Sequence, residues 1–248
     1  MSLIVQQFDY EELKKQSVEG KRLYACPDGN HVASVTTILD KTKDKTALIE
    51  WRKRVGEKKA QEIVTEAASV GTRMHKFLED YVETGEWPKA GSNPYSQQAN
   101  TMATVIKDNA LANINEIWGS EVSLYHPKIY AGTTDLVGVF NGVECIMDFK
   151  QTNKPKKEEW VDDYKLQLTA YALAHNEIYG TNIREGHVFM CSRDGQYQQY
   201  VGVSRVAFVG VPWSTVCRRG SRPPGGGRCS APFAEVPPAR RSRGAAGR

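Results

Sequence analysis

Apolar positions along residues 47–82 recur at helical spacing. Val70, Met74, Phe77 and Tyr81 form one stripe, with Gly71, His75, Leu78 and Val82 alongside, which predicts a long helix. Residues 85–94 gather turn formers and predict a loop, and 96–118 predicts a second helix. At Glu121 the period changes to two, giving a strand over 121–125 and two further strands around Asn141-Gly142. Asn-Gly between apolar runs is a strong hairpin signal, because both turn residues tolerate positive φ. Tyr164, Leu168, Tyr171, His175 and Ile178 then mark a helix over 160–179, followed by strands over 186–191 and 196–203. Upstream, Asp28-Gly29 within 21–38 predicts a short hairpin or irregular entry running into a helix. Helices, three strands, a helix and closing strands predict an α/β domain with a mixed central sheet flanked by helices.

Composition alters this picture mainly at the C-terminal end. The chain of 248 residues carries a net charge of +4, but residues 204–248 hold nine arginines and one acid, leaving 24 bases against 28 acids in 1–203. The body is therefore mildly acidic at −4, and any nucleic-acid contact must come from a local patch. The Arg/Gly/Pro-rich stretch 204–248 has no periodicity; it reads as a disordered tail, as a basic arm or as the product of a shifted reading frame, and no function is placed there. Residues 1–203 form the expected domain. No apolar run approaches the roughly 18 residues of a membrane span, and the N-terminal segment has early acids, so the reading is a soluble, intracellular, cytoplasmic protein. Cys26, Cys145, Cys191, Cys217 and Cys229 are widely spaced, which indicates neither a disulfide framework nor a zinc finger.

The Asn141-Gly142 turn fixes a register in which Phe140 faces Val143, Val137 faces Ile146 and Asp135 faces Asp148. Opposed carboxylates repel unless a cation lies between them, which a divalent metal supplies. Lys150 projects from the same strand face as Asp148. Acid-x-Lys triplets are cheap, as Glu12-x-Lys14, Glu57-x-Lys59 and Asp163-x-Lys165 show. Asp148-Phe149-Lys150 differs by following the apolar Cys145-Ile146-Met147 opposite another acid, although a solvated ion-pair cluster at a strand end has the same pattern. Carboxylates that hold Mg²⁺ or Mn²⁺ beside a lysine suit phosphodiester hydrolysis, where water must be activated while charge grows on phosphoryl oxygens.

With these residues placed, the chain resembles the RecB-like PD-(D/E)XK nucleases and, within them, the phage exonucleases and the mitochondrial genome maintenance exonuclease group. Four elements carry the resemblance over roughly residues 20–200: Gly71-Thr72-Arg73-Met74-His75 as GTxxH, Gly132-x-x-Asp135 as G-x-x-D, Asp148-x-Lys150 as D-x-K, and Gln167-x-x-x-Tyr171 as QxxxY. The resemblance implies a restriction-endonuclease-like core. It also implies catalytic roles for Asp135, Asp148, Lys150, His75, Gln167 and Tyr171, with a metal held by His75, Asp135, Asp148, the Phe149 position and Glu121. An iron–sulfur cluster and ATP use are not expected, since the cysteine spacing and the lack of a G-x-x-x-x-G-K-[ST] loop offer neither.

The implied activity is a Mg²⁺/Mn²⁺-dependent exonuclease acting on single-stranded DNA or DNA ends in replication, repair or recombination. The alternatives are a catalytically silent DNA-binding module and a structure-specific endonuclease of the same fold. For DNA contacts the sequence offers Arg22, Tyr24, Ser34, Thr36, Thr37 and Trp51 to Arg54 ahead of the site, and Lys154, Lys156 and Lys157 directly after the D-x-K strand. A packed Trp51 on a solvated basic helix is an equal reading of the first group.

Overall fold

The computed structural model describes residues 2–18 and 21–203; the expectations for 204–248 lie outside the described residues. The Asn-Gly turn organises the centre. Asn141 and Gly142 take φ of 50° and 81°, joining β5 (Tyr130–Phe140) to β6 (Val143–Thr152) in the register expected, with Phe140 on Val143 and Val137 on Ile146. β4 (Ile114–His126) pairs antiparallel to β5, β7 (Glu185–Ser192) parallel to β6, and β8 (Tyr197–Val203) antiparallel to β7, giving the sheet order β4-β5-β6-β7-β8. The parallel step needs a crossover, which α5 (Asp162–Tyr179) supplies. This is a mixed α/β sheet with helices on both faces, as its pattern predicts.

Two clusters form the core, one on each face. Val70, Met74, Leu78 and Val82 of α3 (Glu57–Thr84) pack with Met102 and Ile106 of α4 (Pro94–Asn109) against Leu136, Met147 and Phe189. On the other face Leu168, Tyr171 and Ala174 of α5 pack with Val35 of α1 (Val35–Thr42) against Val137, Ile146 and Val188. A separate antiparallel sheet of β1 (Lys14–Val18), β2 (Lys21–Ala25) and β3 (His31–Ala33) leads into α1, and Ser34 bridges to Ala131 of β5.

Two boundaries differ from expectation. The long helix predicted over 47–82 is two helices, α2 (Thr46–Val55) and α3, divided at Gly56, whose φ of 88° suits glycine and ends a helix. The second helix does not reach 118. It stops at Asn109, and after a 3₁₀ turn over Leu111–Asn113 the chain enters β4. Ile117 and Trp118 are each 5% exposed, one in each core cluster, so β4 is covered on both faces and its consecutive apolar residues imitate a buried helix.

His175 on α5 is fully buried, with Nδ1 2.7 Å from Thr181 Oγ1 and Nε2 3.0 Å from the Tyr10 hydroxyl. Burial pushes its pKa from 6.5 down to about 4. The unfolded chain then binds the extra proton first, so this contribution to stability is whole above about pH 6.5 and is lost as pH falls through about 4, costing on the order of 3 kcal/mol. Urea midpoints at about pH 7 and pH 4.5 measure it, and His175→Gln should flatten that part of the pH dependence. Among the described residues no helix is long and apolar enough to cross a membrane.

Candidate active site

Asp135 sits where β5 leaves the ladder. Backbone pairing of β5 with β6 ends at Leu136–Met147, one pair short of the direct Asp135–Asp148 apposition that the register predicts. Side chains take over there. Asp135 Oδ2 accepts from the Phe149 N–H at 2.5 Å, and Thr134 Oγ1 donates to the Met147 carbonyl at 3.1 Å. The two carboxylates consequently have different partners.

Asp135 turns to α3 and β4. Its Oδ1 lies 3.0 Å from His75 Nδ1. Glu121 falls between Ser120 and Val122, which pair with Leu136 and Thr134, so the register sets it opposite Asp135. Its φ of 50° is a left-handed conformation that costs a non-glycine residue and is held only when the surroundings impose it. One ligand atom each from His75, Glu121 and Asp135 lies within 4.8 Å of the others. Burial works against the Asp135 charge, but the His75 charge and hydrogen bond, Lys150 and the Phe149 N–H hold its pKa below the ordinary range. Burial likewise opposes a charged His75, and Asp135 outweighs it, raising the His75 pKa. Burial and the neighbouring Asp135 push Glu121 up to about 7.

Asp148, 3% exposed, turns the other way. It forms an ion pair with Lys150 and accepts from Gln167 Nε2 at 3.3 Å. Burial holds the Lys150 ammonium below the usual lysine range even with Asp135 and Glu121 nearby, and the ammonium lies 5.4 Å from the Tyr164 ring centroid. Gln167 Nε2 also reaches the Tyr171 hydroxyl at 3.2 Å. Tyr171 in turn lies against Gly132, where a Cβ would come within 2.5 Å of its ring. Gly71 has no such constraint, since a Cβ there would meet Gln151 Cβ at an ordinary 3.9 Å. A cleft of about 780 Å³ opens beside His75 and Glu121, lined also by Thr72, Glu79, Lys14 and Lys15.

The structure thus brings together His75, Glu121 and Asp135 at one point, and Asp148, Lys150, Gln167 and Tyr171 at another, with Phe149 between them. The residues suggested for DNA contact separate. Tyr24 is 2% exposed with its hydroxyl 3.3 Å from Thr133 Oγ1, so its ring has no open face for stacking. Ser34 is buried as the cap of α1, accepting from the Thr37 N–H at 3.1 Å, while Thr36 is exposed. Arg22 lies on β2. Trp51 is half-buried on α2, and Arg52 beside it pairs with Glu57. Lys154 and Lys157 are exposed and Lys156 half-buried on the segment after β6. Two residues that sequence patterns did not single out for the site are Tyr164 and Trp160, whose rings lie under lysines of this segment; a lysine cluster next to aromatics at 160 and 164 is the signal that points to them.

The chain resembles mitochondrial exonucleases. It is 27% identical over 179 residues to mitochondrial genome maintenance exonuclease 1 of Homo sapiens, covering 67% of this chain and 51% of that protein. The same protein of Mus musculus matches at 27% over 177 residues, with 67% and 51% covered, and that of Xenopus tropicalis at 27% over 191 residues, with 69% and 53% covered. The chain spans about half the length of these curated relatives. No family model matches. Among solved structures, that of SSO0001 aligns with a TM-score of 0.40 at 14% identity, over 75% of this chain and 72% of that one.

Proposed function

We propose that the chain is a metal-dependent deoxyribonuclease, an exonuclease that hydrolyses phosphodiester bonds of single-stranded DNA or DNA ends. The observation that carries this reading is the convergence of His75, Glu121 and Asp135 donor atoms within 4.8 Å, beside a half-buried lysine. Its similarity to mitochondrial exonucleases supports the same direction. Two carboxylate oxygens and an imidazole fit a divalent ion such as Mn²⁺ or Mg²⁺, and the imidazole favours Mn²⁺ of the two. His75, Glu121 and Asp135 would hold it, while Asp148, turned to Lys150 and Gln167, stands outside that group. Bound there, such an ion supplies acidification of water and neutralisation of phosphoryl charge.

The protein's own groups do the rest. Asp135 holds the His75 ring by hydrogen bond and is itself fixed by the Phe149 N–H, so its orientation is set before substrate arrives. Lys150 offers a partly desolvated ammonium to the charge that grows on the phosphoryl oxygens and orients the attacking water. Gln167, braced by Tyr171, positions Asp148, which in turn positions Lys150. Lys154, Lys156 and Lys157 contact phosphates next to the cut. A silent binding module of the same fold has no use for a buried Asp148 beside a half-buried Lys150, since their desolvation opposes folding.

End-labelled single- and double-stranded DNA, incubated with the full chain in Mg²⁺, Mn²⁺ or EDTA, tests the reading. Metal-dependent release of label is expected, with the single strand or the duplex ends attacked first. Binding without cleavage in either metal would assign the chain to the silent module, and cleavage confined to branched or interior sites would assign it to a structure-specific endonuclease.

A further inference from the structure

The segment after β6 is a surface loop with an unusually fixed backbone. Thr152 Oγ1 donates to the Lys154 carbonyl at 2.8 Å. Gln198 of β8 accepts from the Lys156 N–H and donates to its carbonyl, both at 2.8 Å, and the Tyr200 hydroxyl donates to the same carbonyl at 2.5 Å. From this anchored base the 3₁₀ turn Glu158–Trp160 presents the Trp160 side chain, 54% exposed, with the Lys157 ammonium 5.4 Å from a ring centroid of the indole. One helical turn further on, the Tyr164 ring lies 5.6 Å from the Lys156 ammonium and 5.4 Å from that of Lys150. Lys150 and Lys156 thus share the Tyr164 ring, and the next residue, Lys157, lies over Trp160.

The acids of this stretch are largely engaged. Glu158 pairs with Lys165 at 2.6 Å, Asp163 with Lys43, and Glu159 stands 3.9 Å from Lys157, leaving Asp162 exposed. Lys154 and Lys156 have no carboxylate partner among the described residues. Burial and the charge of Lys43 hold the Lys156 pKa below the ordinary lysine range, against the opposing pull of the Asp163 charge.

A single exposed tryptophan is unremarkable on a protein surface. One that follows a hydrogen-bonded base and is flanked by lysines matches what a polyanion with accessible flat bases requires. We propose that Trp160 is a nucleobase-stacking platform, with Lys156 and Lys157 as its flanking phosphate contacts, so that the strand being cut runs from Lys150 past Tyr164 to Trp160 with its bases unpaired. The inference rests on the nuclease reading and adds the selecting element: paired bases hide their faces within the duplex stack, whereas unpaired ones offer them to the indole.

The test is binding of the full chain, in EDTA, to fluorescent oligothymidine of about 15 nucleotides and to an abasic strand of the same length. Trp160→Ala should weaken binding to oligothymidine by about tenfold and leave the abasic strand unchanged, and Trp160→Phe should restore most of the loss. Lys156→Ala should weaken both strands alike. Equal affinity of wild type and Trp160→Ala for oligothymidine, or an equal loss on both strands, would overturn the platform. Mg²⁺-dependent cleavage of oligothymidine by wild type, run in parallel, separates the two readings. If wild type cuts while Trp160→Ala binds as it does, the platform alone is wrong; if wild type neither binds nor cuts, both are.

Discussion

Replacing Lys150 with alanine should reduce single-turnover hydrolysis of single-stranded DNA by about a hundredfold to a thousandfold or more, the scale of losing one preorganised charge aimed at a developing anion. Metal binding should change little, whereas thermal stability should fall, because Asp148 is left buried without its cation. The lysine ends a chain of contacts, Gln167 to Asp148 to Lys150, and is not a donor to the His75, Glu121 and Asp135 group. Its removal leaves Asp148 without its cation but still bonded to Gln167, and takes away an ammonium close to Asp135 and Glu121. Rates near wild type in Lys150→Ala would assign the phosphoryl charge to some other group.

Gly132→Ala should damage the same centre from a distance. The added methyl would lie 2.5 Å from a Tyr171 ring carbon and 2.7 Å from its hydroxyl oxygen, so the ring or β5 must move. Overpacking of this kind costs about 1–3 kcal/mol. Because Tyr171 bonds Gln167, which bonds Asp148, the displaced ring should also lower the hydrolytic rate. Pairing the substitution with Tyr171→Leu separates the two effects. The smaller side chain should recover most of the lost stability without restoring the rate, since the hydroxyl contact to Gln167 stays absent. Full recovery of both would reduce Tyr171 to packing.

Much of this arrangement is legible in the chain, because local rules dictate it. Asn141-Gly142 fixes the turn, the turn fixes the register to Leu136–Met147, and alternation then places Asp148 and Lys150 on one strand face. The stripe on α3 places His75 toward the sheet because its apolar neighbours Met74 and Leu78 must be buried. What escapes is set by contacts between distant segments. The exchange of a backbone pair for the Asp135–Phe149 hydrogen bond, which gives the two aspartates different partners, depends on strand divergence that no residue pattern records. Glu121 meets Asp135 through a long bulged strand whose beginning looks helical, since Ile117 and Trp118 feed opposite cores. Tyr24 has the composition of a stacking residue but lies inside the small β1–β3 layer, where β5 covers it. The role of Gly132 follows from α5 packing, not from turn chemistry.

His75, Glu121 and Asp135 are expected to bind a divalent metal ion. Calorimetric titration of metal-free full chain with Mn²⁺, beside Asp135→Asn, measures this directly. The substitution keeps the shape and one acceptor oxygen but removes the charge that both opposes His75 and neighbours Glu121. Saturable binding by wild type that weakens at least about tenfold in Asp135→Asn is the predicted result, the scale on which disturbed metal sites lose affinity. Equal Mn²⁺ binding by the two proteins, or none by either, would contradict the metal centre and the hydrolytic function built on it.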